Sequence, residues 1–271
     1  MIAGNDITEI AVPVLVAVAV AMARAMGLLA ISPPFTRLGL VNLIRSATAF
    51  AISLPLARAL LESGVLEGQT GAFVITAILI KEFAIGMALG LLYGVPFWAA
   101  EIAGDYIDLQ RGSTAGQLVD PSNFGESGIT ATLLTVASVT IFFISGGFQA
   151  MLEGFYRSYQ IWPAQSLLPV FNANSVIFIL GMLDKTVYYS MVLAFPVLAA
   201  TLLCDLVLSY LARTAPQMHI FDMSLSIKAV IFSIVILLYS SYFASYMRNM
   251  IQDLDTGIEW IAGPATSSGT P

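Results

Sequence analysis

The side chains able to do chemistry gather in one stretch of an otherwise apolar sequence, Pro96 to Asn123, PFWAAEIAGDYIDLQRGSTAGQLVDPSN. Glu101, Asp105 and Asp108 recur at i, i+4 and i+7, so on a helix they form one acidic stripe, and Arg111 extends it. Clustered carboxylates can share a proton, bind a cation or meet basic groups of another protein. Like charges at this spacing repel by about 0.2–0.5 kcal/mol even when solvated, and cost far more in lipid. The stripe is therefore expected to face water or basic partner groups. Past Gln110 and Arg111 the helical pattern stops: Gly112 and Gly116 interrupt it, and Ser113, Thr114 and Gln117 add hydrogen-bonding side chains. Asp120-Pro121-Ser122-Asn123 is turn chemistry ahead of the next apolar run.

Most catalytic chemistries lack their parts. The single histidine, His219, is one short of a zincin helix motif, and with Cys204 it cannot build a structural zinc site. No phosphate-binding GxxxxGK[ST] loop and no GxSxG elbow occurs; Gly112-Ser113-Thr114-Ala115-Gly116 has the wrong order for the latter. Asp105 could share a proton with Asp184 or Asp205, but acids in watered helices occur without catalysis. No catalytic residue, metal or cofactor is assigned.

The elements that must position the stripe are membrane helices. Of 271 residues, 58% are hydrophobic and only 10% charged, and the mean hydropathy is +0.86, outside the range of soluble domains. A net charge of −6, from 17 acids against 11 bases, offers no basic surface for nucleic acid. Cys204 cannot form an internal disulfide and reads as a small buried apolar residue. Asp6 and Glu9 precede the apolar run Ala11 to Leu29, the reverse of a secretory signal, so the first helix is expected to stay uncleaved.

Along the chain, Ile7 to Ile31 is long enough to span a bilayer, with Arg24 inside it facing protein or water. Ser32-Pro33-Pro34-Phe35 breaks the helix, and a second segment runs from about Leu40 to Leu61, kinked at Pro55. Thr70 to Arg111 is helical for roughly 60 Å, twice a hydrocarbon core of about 30 Å. Either Pro96 divides it, or part of it climbs out of the bilayer within an assembly. Gly86, Gly90 and Gly94, at four-residue spacing, make a groove for close approach of another helix backbone, or recur by chance. Glu126 to about Tyr159 is interrupted at Ser145-Gly146-Gly147, and Tyr156, Tyr159 and Trp162 suit a membrane interface. Asn172 to Arg213 is again overlong and holds Asp184, Lys185, Pro196 and Asp205. Lys81-Glu82 and Asp184-Lys185 are adjacent on a helix, do not face each other, and need partners elsewhere. After a break at Ala215 to Phe221 the last helix runs from Leu225 to about Leu254, with Tyr239, Tyr242 and Tyr246 on one face for packing or an interface belt.

At Ile107-Asp108-Leu109-Gln110-Arg111-Gly112, followed by Asp120-Pro121, and again at Pro216-Gln217-Met218-His219-Ile220-Phe221, the sequence resembles the FliR/SctT family of type III export-apparatus proteins. Lys81-Glu82 ahead of Gly86-Met87-Ala88-Leu89-Gly90, the Gly146-Gly147 pair and Ile227-Lys228 carry the resemblance along nearly the whole chain. Flagellar members usually have a Gln-Met-Gly version of the loop start; Ile-Asp-Leu-Gln-Arg-Gly is similar to the injectisome branch.

The resemblance implies an all-α, polytopic helical membrane protein with long kinked helical hairpins, part of a helical hetero-oligomeric export gate. Residues 1–262 would form one helical domain, with the loop 111–125 as a pore plug, and the Gly, Ser, Thr and Pro-rich 263–271 a disordered tail. The plug residues would be Gln110, Arg111, Gly112, Ser113, Thr114, Gly116, Gln117, Asp120, Pro121 and Asn123. Implied partners are small hydrophobic R-type and S-type subunits, the U-type switch protein, the large export-gate protein, unfolded secreted substrates and membrane lipid. The implied location is the bacterial inner membrane at the base of a secretion apparatus, with a virulence or symbiosis role and no enzymatic activity. The alternative is a secondary transporter, in which Glu82, Glu101, Asp105, Asp184 and Asp205 relay protons or bind a coupling cation.

Overall fold

The structure, a computed structural model, describes residues 3–37, 42–62, 71–112, 128–164, 173–214 and 220–254. Every regular element among them is an α-helix: α1 (Ala3–Ile31), α2 (Pro33–Thr36), α3 (Asn42–Glu62), α4 (Ala72–Arg111), α5 (Ile129–Ile144), α6 (Gly147–Ile161), α7 (Ala173–Thr214) and α8 (Ile220–Gln252). By length and composition α1, α3, α4, α7 and α8 can each cross a membrane, whereas α5 and α6 qualify only when taken together as one broken span. The expected breaks are present. Pro33, Pro34 and Phe35 form the short buried turn α2, and Gly146, at φ +80°, separates α5 from α6 in a conformation that favours glycine.

Pro96 does not divide the third long segment: α4 is one helix of 40 residues. Its ring removes one ladder hydrogen bond. Val95, Phe97, Ala99 and Ala100 around it are all buried, and side-chain burial of that order, about 1.5–3 kcal/mol for Phe97 alone, is enough to hold the helix through the gap. Likewise α7 is continuous for 42 residues with Pro196 inside.

The chain forms two compact units, residues 1–94, 146–180 and 253–271 in one, and 95–145 and 181–252 in the other. In the first, α1 packs along α3 and against α4. The groove of Gly86 and Gly90 is filled by α1 of the same chain: a Cβ at Gly86 would strike the Arg24 carbonyl, one at Gly90 would lie 2.8 Å from the Leu28 carbonyl, and one at Gly27 would strike the Phe83 carbonyl. Gly94 is buried. Close approach lets the two helices share a buried charge cluster. Arg24 is fully buried; its Nε donates to Glu82 Oε2 at 2.6 Å, one terminal nitrogen to Ser158 Oγ at 2.9 Å and the other to the Trp162 carbonyl at 2.8 Å. The guanidinium lies 3.5 Å from the Tyr159 ring centre. Lys81 Nζ donates to the carbonyls of Pro163 and Ala164 at 3.2 and 3.0 Å.

Lys81 and Glu82 do have partners elsewhere, yet they also meet each other: Lys81 Nζ sits 2.8 Å from Glu82 Oε1, an ion pair without good hydrogen-bond angles. The long lysine stem makes that possible despite the unfavourable spacing. Tyr156, Tyr159 and Trp162 correct the interface-belt expectation. Trp162 is buried, Tyr159 covers Arg24, and the Tyr156 hydroxyl donates to the Ile52 carbonyl at 2.9 Å.

In the second unit, Ala99, Ala100, Ala103 and Ile107 of α4, Leu134 of α5, Leu193, Ala194 and Val197 of α7, and Tyr239, Phe243, Met247 and Met250 of α8 form the core. Small residues on α4 let α5 come in until a Cβ at Gly104 would collide with Ala131. Tyr239 packs rather than forming a belt, its hydroxyl donating to the Leu193 carbonyl at 2.6 Å. Cys204 is buried, as expected.

Removing one member of a buried ion pair costs about 3–5 kcal/mol. Arg24→Leu should therefore lower thermal unfolding of the detergent-purified subunit sharply, whereas Arg58→Leu, whose pairing with Glu62 is exposed, should change it little. Equal losses would contradict the role given to the cluster. Gly86→Leu should prevent accumulation of the folded subunit itself, so normal yield with failed assembly would return the groove to a partner.

Candidate functional site

The acidic stripe splits where α5 begins. Gly128, the N-cap residue of α5, has no side chain to offer the free N–H groups of the first turn. Asp108 of α4 supplies what is missing. Its Oδ2 accepts from Thr130 N at 2.8 Å and Ala131 N at 3.4 Å, and its Oδ1 accepts from Thr130 Oγ1 at 2.6 Å and from an Arg111 terminal nitrogen at 3.0 Å. Asp108 is fully buried, which departs from the water-facing stripe expected above. The first turn of α5 covers the stripe at this level, and a Cβ at Gly128 would strike the Asp108 carboxylate. Asp105, one turn earlier, remains exposed and accepts from Gly128 N at 3.4 Å. Glu101 is half-buried.

The end of α4 is held on another side by α7 and α8. Gln110 Nε2 donates to Asp205 Oδ2 at 3.2 Å, Lys228 Nζ pairs with Asp205 Oδ1 at 2.6 Å, and Lys228 also donates to the Gln110 carbonyl at 3.5 Å. The Arg111 guanidinium stacks 4.3 Å over the Phe232 ring. Gly112 closes the helix at φ +79°, the left-handed cap conformation natural to glycine. Hydrogen bonds to charged groups contribute roughly 1.5–3 kcal/mol each, so this cluster fixes the end of α4 and the start of α5 firmly.

Gln110, Arg111 and Gly112 are thus brought together with Asp108. Ser113, Thr114, Gly116, Gln117, Asp120, Pro121 and Asn123 lie outside the described residues. Sequence reasoning missed Thr130, Gly104 and Gly128, and the pairing of Asp205 with Lys228. A helix start with only glycine at its N-cap is the signal that a cap must come from elsewhere. Asp184 and Lys185 are exposed. Among the described residues no group of His, Cys, Asp and Glu converges as a metal site.

Long apolar helices, with buried charges spent on one another and on helix ends, define a polytopic helical membrane protein. Residues 15–254 match the family model for bacterial export proteins, family 1, and the chain belongs to this family, the FliR/SctT proteins. It is 32% identical over 178 residues to Yop proteins translocation protein T of Yersinia pestis, covering 66% of this chain and 68% of that protein. To the surface presentation of antigens protein SpaR of Shigella flexneri it is 31% identical over 210 residues, 77% and 79% of the two chains. The flagellar biosynthetic protein FliR of Bacillus subtilis is 26% identical over 174 residues, 63% and 66%. The higher identities lie on the injectisome side of the family.

In a Cys204→Ala background, a cysteine at position 105 should react with a soluble maleimide several-fold faster than one at position 108 in the isolated subunit. Similar rates would mean that Asp108 is not buried under α5.

Proposed function

We propose that this chain is a core, non-enzymatic subunit of a type III secretion export gate in the bacterial inner membrane. It forms, with R-type and S-type subunits, the U-type switch protein and the large export-gate protein, the pore through which unfolded secreted proteins cross. In this reading the 111–125 loop closes the pore at rest, and other components supply the energy. The observation that carries it is the anchoring of that loop's flanks, Arg111 on one side and Thr130 and Ala131 on the other, by buried charge from Asp108. A polar segment so anchored cannot sit in lipid, where its backbone would be unpaired; it needs protein or a watered lumen around it. Against an ion-coupled carrier, Glu82, Asp108 and Asp205 are each engaged by lysine or arginine of the same chain.

Deleting Thr114 to Val119 keeps the Gly112 cap and both anchored ends. The assembled complex carrying this deletion should leak ions or small solutes across the membrane while its subunits still co-purify. A complex that assembles and stays tight would refute the closure.

A further inference from the structure

We infer that the first turn of α5 is the point at which the closed state is released, with Asp108 as the positioning residue that holds it, an inference that rests on the export-gate reading. The two helix ends that flank the proposed closing segment are held by different means. The end of α4 is packed as well as bonded. Ile107 is buried in the core of its unit, Gln110 is tied to Asp205 of α7 and Lys228 of α8, and the Arg111 guanidinium covers the Phe232 ring of α8. Losing any one of these contacts leaves the others in place.

The start of α5 has no such redundancy. Ile129 is 80% exposed and Leu133 is 54% exposed, so Leu134 is the first large apolar side chain of this helix to be buried. Before it only Thr130 and Ala131 turn inward, and Ala131 meets α4 at Gly104, which has no side chain to pack around it. Among the described residues, every hydrogen bond that reaches Gly128 to Leu133 from outside α5 comes from two carboxylates of α4. Asp105 accepts from Gly128 N at 3.4 Å, a long bond in an exposed place. Asp108 takes the other three, from Thr130 N, Thr130 Oγ1 and Ala131 N. A glycine N-cap has no acceptor of its own to replace them. When the Asp108 carboxylate is withdrawn, the N–H groups of this turn lose their acceptor, and little apolar burial remains to keep the turn formed. α5 then frays at its start while α7 and α8 still hold α4, and the segment between the two helices is freed from one end only.

The cap position allows a test by repair. Gly128 has φ −55° and ψ 156°, a backbone that suits a capping serine, but a Cβ there would strike the Asp108 carboxylate; removing that carboxylate makes room for a local cap. In the detergent-purified subunit, hydrogen exchange of peptides covering residues 128–134 should rise at least about fivefold in Asp108→Ala, and that of peptides covering 104–111 less than about twofold. Adding Gly128→Ser to Asp108→Ala should return the α5 peptides to the wild-type rate, which a general loss of folding would not allow. In the assembled complex Asp108→Ala should leak ions, and the double variant should be tight again. Should Asp108→Ala not accumulate, Asp108→Asn, which keeps the shape and one acceptor oxygen, carries the same comparison. Unchanged exchange at 128–134, an equal rise at both helix ends, or no repair by Gly128→Ser would overturn the inference. So would a tight complex built from an Asp108→Ala subunit whose α5 start exchanges fast. The Thr114 to Val119 deletion then separates the two readings: if it leaks, the gate stands and only the release point falls, and if it too stays tight, the closure falls with it.

Discussion

A guanidinium with no water around it organises the first unit. Arg24 cannot shed its proton, and each of its N–H groups left unpaired in an apolar interior would cost more than a packed methyl group returns. Helices α1, α4 and α6 with the residues just past it meet this demand together. Gly27, Gly86 and Gly90 draw α1 and α4 together until Arg24 reaches Glu82. α6 lies where Ser158, Tyr159 and the Trp162 carbonyl meet the remaining faces of the guanidinium. Lys81 takes the next two carbonyls, of Pro163 and Ala164. The cluster therefore sets helix spacing, and the apolar contacts of Val20, Ile78 and Ala164 beside it follow.

The same rule operates at three helix ends. Backbone groups at a helix terminus have no partner within the helix, and in a bilayer there is no water to provide one. Arg24 and Lys81, both cations, meet the carbonyls just past the C-terminal end of α6, the negative end of its dipole. Lys228 does so at the end of α4 through the Gln110 carbonyl. Asp108, an anion, meets the N–H groups at the start of α5. In each case the capping side chain comes from a different helix, so one group both closes a helix and fastens two together. Charges that would be liabilities in lipid become the fasteners of an apolar chain.

This explains which parts were legible in the sequence. Helix positions and breaks rest on local signals, apolar runs, Pro33-Pro34 and Ser145-Gly146-Gly147, and the structure puts them within a few residues of the expected bounds. Whether Pro96 breaks α4 depends on how well its neighbours are packed, which no local pattern records. The glycine spacing marked a close approach but not its partner. Gly27 on α1, where a Cβ would strike the Phe83 carbonyl of α4, was the complementary small-residue signal. The burial of Asp108 was not legible, because it is created by a helix start 22 residues away in the chain. The loop residues from Ser113 to Asn123 lie outside the described residues, so the resemblance is their main source of meaning.

The charge pattern of the second unit also orients its helices. On α7, Thr186 to Cys204 contains no charged residue, and neither does Ala229 to Met247 on α8; each stretch is roughly 28 Å long, close to a hydrocarbon core of about 30 Å. Asp205 closes the α7 stretch and Lys228 opens the α8 stretch, and the two pair at 2.6 Å, so both helices reach the same membrane face with opposite directions. Gln110 of α4 joins them there. Gly112 follows Gln110 by two residues, about 3 Å along the helix, so the end of α4 and the Asp205–Lys228 pair lie at one level.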